Sequence, residues 1–171
     1  MRKTGHGAVP DPGEGKRGEA GHLGYLLRQA SGAFRARVDR ALSDLGVTAP
    51  QFAVMTMIRA YDGLSGADLA RLTLLTPQTV SVIVANLKRA GALASAPHPV
   101  HGRVLQLTLT PQGMAVHARC RARVDRLEAE LAHGLSERDE AVVRRWLVRA
   151  ASEPGPSMPR AVPRPPSPRR R

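Results

Sequence analysis

The spacing of hydrophobic residues changes along the chain. From residue 23 to residue 45, apolar side chains recur every three or four positions, which predicts an amphipathic helix of about six turns. Gly46 follows as a helix stop. Three more segments with the same spacing come next, and Thr48, Ser65 and Thr76 stand where each would need a capping side chain. Residues 23–90 are therefore predicted to be mainly helical.

The fourth segment, residues 76–90, allows two interpretations. Several of its residues are β-branched, which favours a strand. Thr76 as a cap, Pro77 at the first helical position and the spacing of Val80, Ile83 and Leu87 favour a helix instead. We predict the helix.

After Gly91 the period falls from 3.6 to 2. Leu105, Leu107 and Leu109 alternate with polar or smaller residues, and a turn rich in Pro and His precedes them, which predicts a β-hairpin. Thr110-Pro111 then begins a long helix, and Ser136 begins a last one. The predicted fold is mainly α with a small β-hairpin. Two short helices followed directly by a hairpin are typical of a winged helix-turn-helix.

Charge and composition divide the chain into a core and two tails. Residues 1–20 are rich in Gly, and residues 152–171 hold five Arg and seven Pro, so both are predicted to be disordered. The whole chain carries +12, and residues 21–151 alone carry +7. A basic folded part favours a polyanionic partner, chiefly nucleic acid.

Several classes of function are not expected. The sequence contains no run of eighteen apolar residues and no apolar stretch after its first basic residues, so we expect neither membrane insertion nor secretion but a cytoplasmic protein. It lacks the glycine, serine and paired-carboxylate patterns of enzymes, so we expect no enzyme and no cofactor. His98, His101 and His117 lack partners at ligand spacing, so we expect no metal site.

The second short helix has the pattern of a major-groove reader. Its first turn carries small polar side chains, its bulky apolar residues lie on the opposite side, and no acidic side chain interrupts it. Gln78 can pair with an adenine edge, and Val82 can touch a thymine methyl group. Arg103, at the tip of the hairpin, can enter the minor groove. The predicted DNA contacts are Thr76, Pro77, Gln78, Thr79, Ser81, Val82, Asn86, Lys88, Arg89 and Arg103.

Three stretches together carry a resemblance to a known family. "VTAPQFAVMTMI", "LSGADLARLTLLTPQTVSVIVANLKRAG" and "HGRVLQLTLTPQG", in this order and spacing, resemble the MarR family of dimeric bacterial transcription regulators. The resemblance covers about residues 22–151. It implies a domain at 21–151 in which residues 47–110 form the DNA-binding lobe.

The resemblance implies the following functional expectations. A helix matching 76–90 reads DNA, a wing matching 92–109 carries Arg103 at its tip, and terminal helices matching 22–45 and 111–151 intertwine as a homodimer. Many members bind small, often aromatic ligands between the dimer helices and the DNA-binding lobe. The expected function is thus a regulator of transcription that binds a pseudo-palindromic double-stranded operator, a repressor released by a small aromatic effector.

The wing departs from the family pattern. Wings in this family commonly carry the sequence Asp-x-Arg, whereas this chain has His101, Gly102 and Arg103 at these positions. The resemblance extends to the arginine, and the ion pair that steers it is missing.

Two alternative functions remain open at this point. One is a helical dimeric interaction module without specific DNA readout. The other is a thiol redox sensor through Cys120, whose pKa Arg119, Arg121 and Arg123 could depress.

Overall fold

A computed structural model describes residues 10–97 and 105–152. They confirm the mainly helical fold with a two-stranded hairpin. The elements are α1 (Leu23–Leu42), α2 (Ala49–Ala60), α3 (Gly66–Thr73), α4 (Pro77–Arg89), β1 (Leu93–Pro97), β2 (Leu105–Leu109), α5 (Pro111–Ala132) and α6 (Glu137–Ser152). Turns of 3-10 helix lie at Gly15–Arg17 and Ser43–Leu45. Segment 76–90 is therefore helical, as its cap and spacing predict.

Side-chain caps fix where the helices of the central lobe begin. The Thr48 side chain accepts a hydrogen bond from the backbone N–H of Gln51, and the Gln51 side chain accepts one from the N–H of Thr48. Ser65 and Asp68 form the same reciprocal capping box at α3. Each box satisfies two backbone N–H groups that have no partner inside the helix.

The turn between α3 and α4 depends on a leucine in an unusual conformation. Leu74 ends α3 with φ = 55° and ψ = 36°, in the left-handed region that glycine usually occupies. Its side chain is 92% exposed, whereas Leu75 packs against the lobe core. The left-handed residue reverses the chain within a few residues and sets α4 against α3.

The central lobe has its own hydrophobic core. Val54, Met55, Leu69 and Val80 are almost fully buried, and the first strand contributes Leu93. The members come from α2, α3, α4 and β1, which explains why these four elements form one lobe. The apolar spacing of α3 predicts that Leu69, Ala70 and Leu72 all lie inward, but Leu72 is 45% exposed, because the lobe core takes up only Leu69 and Ala70 from this short helix.

A second core lies between α1, α2 and α5. It is built from Val38, Leu42, Phe52, Cys120 and Val124, all buried. At its edge, ion pairs join α1 and the 3-10 turn after it to α5. The guanidinium of Arg123 binds both carboxylate oxygens of Asp44 and the carbonyl of Ala41, and Arg37 pairs with Glu130.

Helix α2 belongs to both cores. Phe52 faces the second core, while Met55 and Ile58 face the core of the lobe. Its N-terminus is also tied to α1, since the Ala49 N–H donates to Asp39 Oδ1 at 2.6 Å. Movement of α2 therefore affects packing on both sides.

The hairpin is antiparallel. Leu93 pairs with Leu109, and Ser95 pairs with Leu107. Leu93 is buried, and Leu107 and Leu109 pack against the lobe core, so one face of the hairpin completes that core.

The described residues 131–152 belong to a compact unit of their own, which contains α6. The Ser136 Oγ accepts from the Asp139 N–H at 3.2 Å, as the predicted cap requires. Val142, Val143, Leu147 and Val148 are between 39% and 66% exposed. The spacing of three and four residues between apolar positions in this segment predicts that Val142, Val143 and Leu147 lie inward, but all three are exposed.

Some predicted features lie outside the described residues. They include the first nine residues, the wing tip at 98–104 with Arg103, and the basic segment from residue 153 to the end. Within residues 10–97 and 105–152, no helix is long and apolar enough to cross a membrane.

Candidate nucleic-acid interface

Helix α4 presents the face that the sequence predicts. Val80, Ile83 and Leu87 are buried beneath it. Almost all of the predicted contacts on α4 and at its cap are exposed, and Asn86 is half-buried; they are Thr76, Pro77, Gln78, Thr79, Ser81, Val82, Asn86, Lys88 and Arg89. The structure therefore brings these nine residues together on one helix, available to a partner.

These polar side chains differ in whether their hydrogen-bonding groups are already used within the helix. Thr76 caps the helix by accepting from the Thr79 N–H at 3.1 Å, and the two threonine hydroxyls lie 2.8 Å apart. Ser81 Oγ donates to the Pro77 carbonyl at 2.9 Å. Gln78 makes no side-chain hydrogen bond to any described residue, so its amide keeps its full capacity to read a base.

The basic residues at the end of α4 are partly engaged. Lys88 Nζ donates to Ser95 Oγ on β1 at 2.6 Å, which links the helix to the wing. Arg89 donates to Asn86 Oδ1 at 3.0 Å. Both cations remain exposed, and an ammonium has three donors, so Lys88 can hold Ser95 and a phosphate together.

Asp68, the one acidic residue between Gly63 and Thr110, is paired locally. Hydrogen bonds from Ser65, and then the Arg71 guanidinium, lower the pKa of Asp68 to about 2. The carboxylate is thus ionised but paired, and it caps α3 at the helix end that favours negative charge. Its repulsion of a nearby phosphate is correspondingly reduced.

A pocket lies behind the DNA-binding lobe. It has a volume of about 430 Å³ and is walled by α1, α2, α5 and the region of the α3–α4 turn. Phe34, Phe52, Met57 and Leu75 provide apolar surface, while Arg35, Thr56 and Glu128 provide polar groups. An apolar cavity with a few polar groups is typical of a small-molecule site.

A buried histidine stands next to this pocket. The His117 ring stacks on Phe52 with centroids 5.3 Å apart, and its Nε2 lies 3.1 Å from Thr56 Oγ1. Thr56 donates its own proton to the Phe52 carbonyl at 2.8 Å, so its oxygen accepts from His117 Nε2–H. The contact joins α2 to α5 through a neutral imidazole.

The contact between Thr56 and His117 is not evident from the sequence. Thr56 and His117 are 61 positions apart, and neither carries a motif that indicates the contact. The periodicity of α5 places His117 on its inner face, which is the one signal that could have pointed to it.

The redox alternative is not favoured by the surroundings of Cys120. The thiol is fully buried in the second core, and burial raises its pKa despite the opposing effect of Arg123 and Arg119. A sensor thiol needs the reverse, exposure and a lowered pKa. Cys120 here is a packing residue.

Metal binding finds no support in the described part of the chain, where no group of three or more His, Cys, Asp or Glu side chains converges. His98, His101 and Arg103 lie outside the described residues.

The buried histidine predicts an acid-sensitive fold. Burial, followed by the charges of Arg59 and Arg121, lowers the pKa of His117 below 6.5. The unfolded chain therefore binds the proton first, so the contribution to stability is complete above about pH 6.5 and is lost as the pH falls towards the folded value. We expect His117→Gln to reduce the loss of unfolding free energy between pH 7.5 and 5.5, which in the wild type reaches up to about 1.4 kcal/mol per pH unit.

Urea unfolding at a series of pH values measures this loss. The exposed His133→Gln serves as the control and keeps the wild-type pH dependence. An identical fall in stability for His117→Gln and the wild type would contradict the prediction.

Comparisons with known proteins agree with this geometry. Residues 45–104 match the sequence model of the MarR family. The HTH-type transcriptional repressor Rv2887 of Mycobacterium tuberculosis is 36% identical over 131 residues, which cover 77% of this chain and 94% of that protein.

Solved structures lead to the same family. The M. tuberculosis Rv2887 complex with DNA has a TM-score of 0.61 at 34% identity, covering 77% of this chain and 98% of that one. The Rv2887 complex with salicylic acid has a TM-score of 0.64 at 35% identity, with the same two coverages. The chain belongs to the MarR family of DNA-binding transcription regulators.

Proposed function

We propose that the protein is a homodimeric repressor that reads a pseudo-palindromic operator with one α4 helix from each subunit. The carrying observation is the exposed first turn of α4, where the Gln78 amide has no partner among the described residues. A helix with free hydrogen-bonding groups at its N-terminal end fits the major groove, and two such helices about one helical turn apart explain a two-fold operator. The repressor assignment follows the M. tuberculosis relative, which is an HTH-type transcriptional repressor.

The wing supplies the second DNA contact in this proposal. Arg103 would enter the minor groove next to α4, because an extended arginine is attracted by the negative potential of a narrow groove. Lys88 links α4 to the first wing strand through its hydrogen bond to Ser95. This link would hold the first wing strand in a chain that lacks the usual Asp-x-Arg pair.

Exposed apolar side chains support the dimer. Leu23 and Leu27 on α1 are 67% and 40% exposed, and α6 exposes Val142, Val143 and Val148. Such residues cost free energy in water, and a second copy would bury them.

The pocket behind the lobe is the proposed effector site. The M. tuberculosis relative was crystallised with salicylic acid, so a small aromatic ligand is the first candidate. The pocket wall includes Thr73 and Leu75, which flank the turn that sets α4. A ligand that displaces this wall would move α4 and release DNA.

A regulator of this kind acts on bacterial chromosomal DNA, so the proposal places it in the cytoplasm.

Substitution of Gln78 tests the reading helix. We expect Gln78→Ala to weaken binding to the operator by about 1–3 kcal/mol and to weaken binding to a shuffled duplex much less, because a lost base contact removes discrimination. Gel shifts use the DNA upstream of the coding sequence and a shuffled duplex of equal composition. The exposed Gln29→Ala on α1 is the matched control. Equal losses on both duplexes would show that Gln78 does not read bases.

The salt dependence of binding tests the role of Lys88. Each phosphate contact contributes nearly one unit to the slope of log affinity against log salt, so we expect Lys88→Met to lower that slope by about one. Ser95→Ala removes the same intramolecular hydrogen bond without removing a charge, and it should leave the slope unchanged. An unchanged slope in Lys88→Met would restrict Lys88 to holding the wing.

Filling the pocket tests the effector site. Ala53 lines it, and a larger side chain there would occupy part of the 430 Å³. We expect Ala53→Phe to raise the salicylate concentration needed to release the operator by at least about tenfold, with operator affinity in the absence of salicylate nearly unchanged. Ala53→Ser keeps the volume and the response. If the same salicylate concentration releases the operator from all three proteins, the effector binds elsewhere.

A further inference from the structure

We propose that Thr110 and Gln112 are positioning residues for DNA recognition. They hold the end of α4 against the start of α5 in a hydrogen-bonded joint, defined as residues 90–92 and 110–113. The inference rests on the proposed function, in which α4 reads the operator. Neither residue is among the predicted DNA contacts.

The first half of the joint is the end of α4. The Ala90 N–H donates to the Asn86 carbonyl and the Ala92 N–H to the Leu87 carbonyl, both at 2.9 Å, while Gly91 adopts φ = 71°. This arrangement closes the helix through a left-handed glycine and turns the chain sharply into β1.

The second half is the first turn of α5, which binds the three carbonyl groups that follow α4. Gln112 Nε2 donates to the Ala90 carbonyl at 3.3 Å. Thr110 Oγ1 donates to the Gly91 carbonyl at 2.6 Å, and the Thr110 N–H donates to the Ala92 carbonyl at 3.1 Å. Each of three consecutive carbonyls thus has a partner on α5 or at its cap.

Two further features make the joint tight. Thr110 Oγ1 also accepts from the Gly113 N–H at 3.0 Å, so one hydroxyl caps α5 and bonds to the end of α4. A Cβ at Gly113 would lie 2.0 Å from the Ala92 carbonyl oxygen, so only glycine permits this approach of the two backbones. The joint therefore fixes α4 to α5 by direct backbone contact.

This rigidity matters because base contacts are sensitive to distance. A hydrogen bond weakens steeply when its atoms move by a few tenths of an ångström or its angle bends. Helix α5 is itself fixed in the second core by Cys120 and Val124. The joint thereby places the recognition helix relative to the long helix that the proposed dimer shares, and so relative to the other half of the operator.

Gln112→Met is the principal test, because it removes the donor and keeps the length of the side chain and the cap at Thr110. We expect operator affinity to fall by about two- to tenfold, because the free energy needed to hold α4 in place without this internal bond is at most that of about one hydrogen bond. Affinity for a shuffled duplex and the salt slope should stay close to wild type, and the thermal midpoint should fall by no more than a few degrees, because one exposed internal hydrogen bond is lost. A residue with a merely structural role would change the thermal midpoint and not the ratio of the two affinities.

A matched pair of cap variants separates positioning from stability. Thr110→Val and Thr48→Val each remove the hydroxyl that caps a helix, and Thr48 has no bond to residues 90–92. Both should lower the thermal midpoint by similar amounts, but only Thr110→Val should lower the ratio of operator to shuffled affinity. Thr110→Ser, which keeps the hydroxyl, should restore that ratio.

The outcomes are distinguishable. Wild-type affinity ratios in both Gln112→Met and Thr110→Val would overturn the joint as a positioning device while leaving α4 as the reader. A wild-type protein that shows no preference for the operator, or a preference untouched by Gln78→Ala, would overturn the reading helix and the joint with it.

Discussion

Burial of α2 on both of its sides is the constraint on which the other features depend. A single twelve-residue helix supplies Phe52 to the core shared with α1 and α5, and Met55 and Ile58 to the core of the DNA-binding lobe. Neither core can repack without moving this helix, because protein interiors are close-packed and respond to small changes of volume. The lobe is thus coupled mechanically to the long helices.

Hydrogen bonds between distant residues also link α2 and α4 to the long helix α5. The His117–Thr56 bond ties α2 to α5 next to the pocket, and Thr110 with Gln112 ties the end of α4 to the start of α5. A ligand in the pocket would touch Phe52 and Thr56, and so would act on the helix that both cores share. Under the proposed function, this is how occupancy of a small cavity becomes a change in the placement of α4.

Much of the fold could be predicted because its signals are local. Thr48, Ser65 and Thr76 cap the helices that their positions predict, and the change of period after Gly91 marks the hairpin. The exposed face of α4 also follows from spacing alone. The joint, the pocket and the His117 contact depend on residues far apart in sequence. The periodicity of hydrophobic residues does not indicate which distant side chains come into contact. Leu72 and the α6 valines show the same limit, since their exposure depends on neighbours rather than on their own helix.

Photo-crosslinking from single positions tests most directly whether α4 reads the DNA. A photoreactive side chain would replace Val82, which is 55% exposed on α4, and in a second protein Val148, which is 66% exposed on α6. If α4 reads the DNA, position 82 will crosslink to bases inside each operator half-site and position 148 will not. Crosslinks to operator bases from position 148, with none from position 82, would contradict this role of α4.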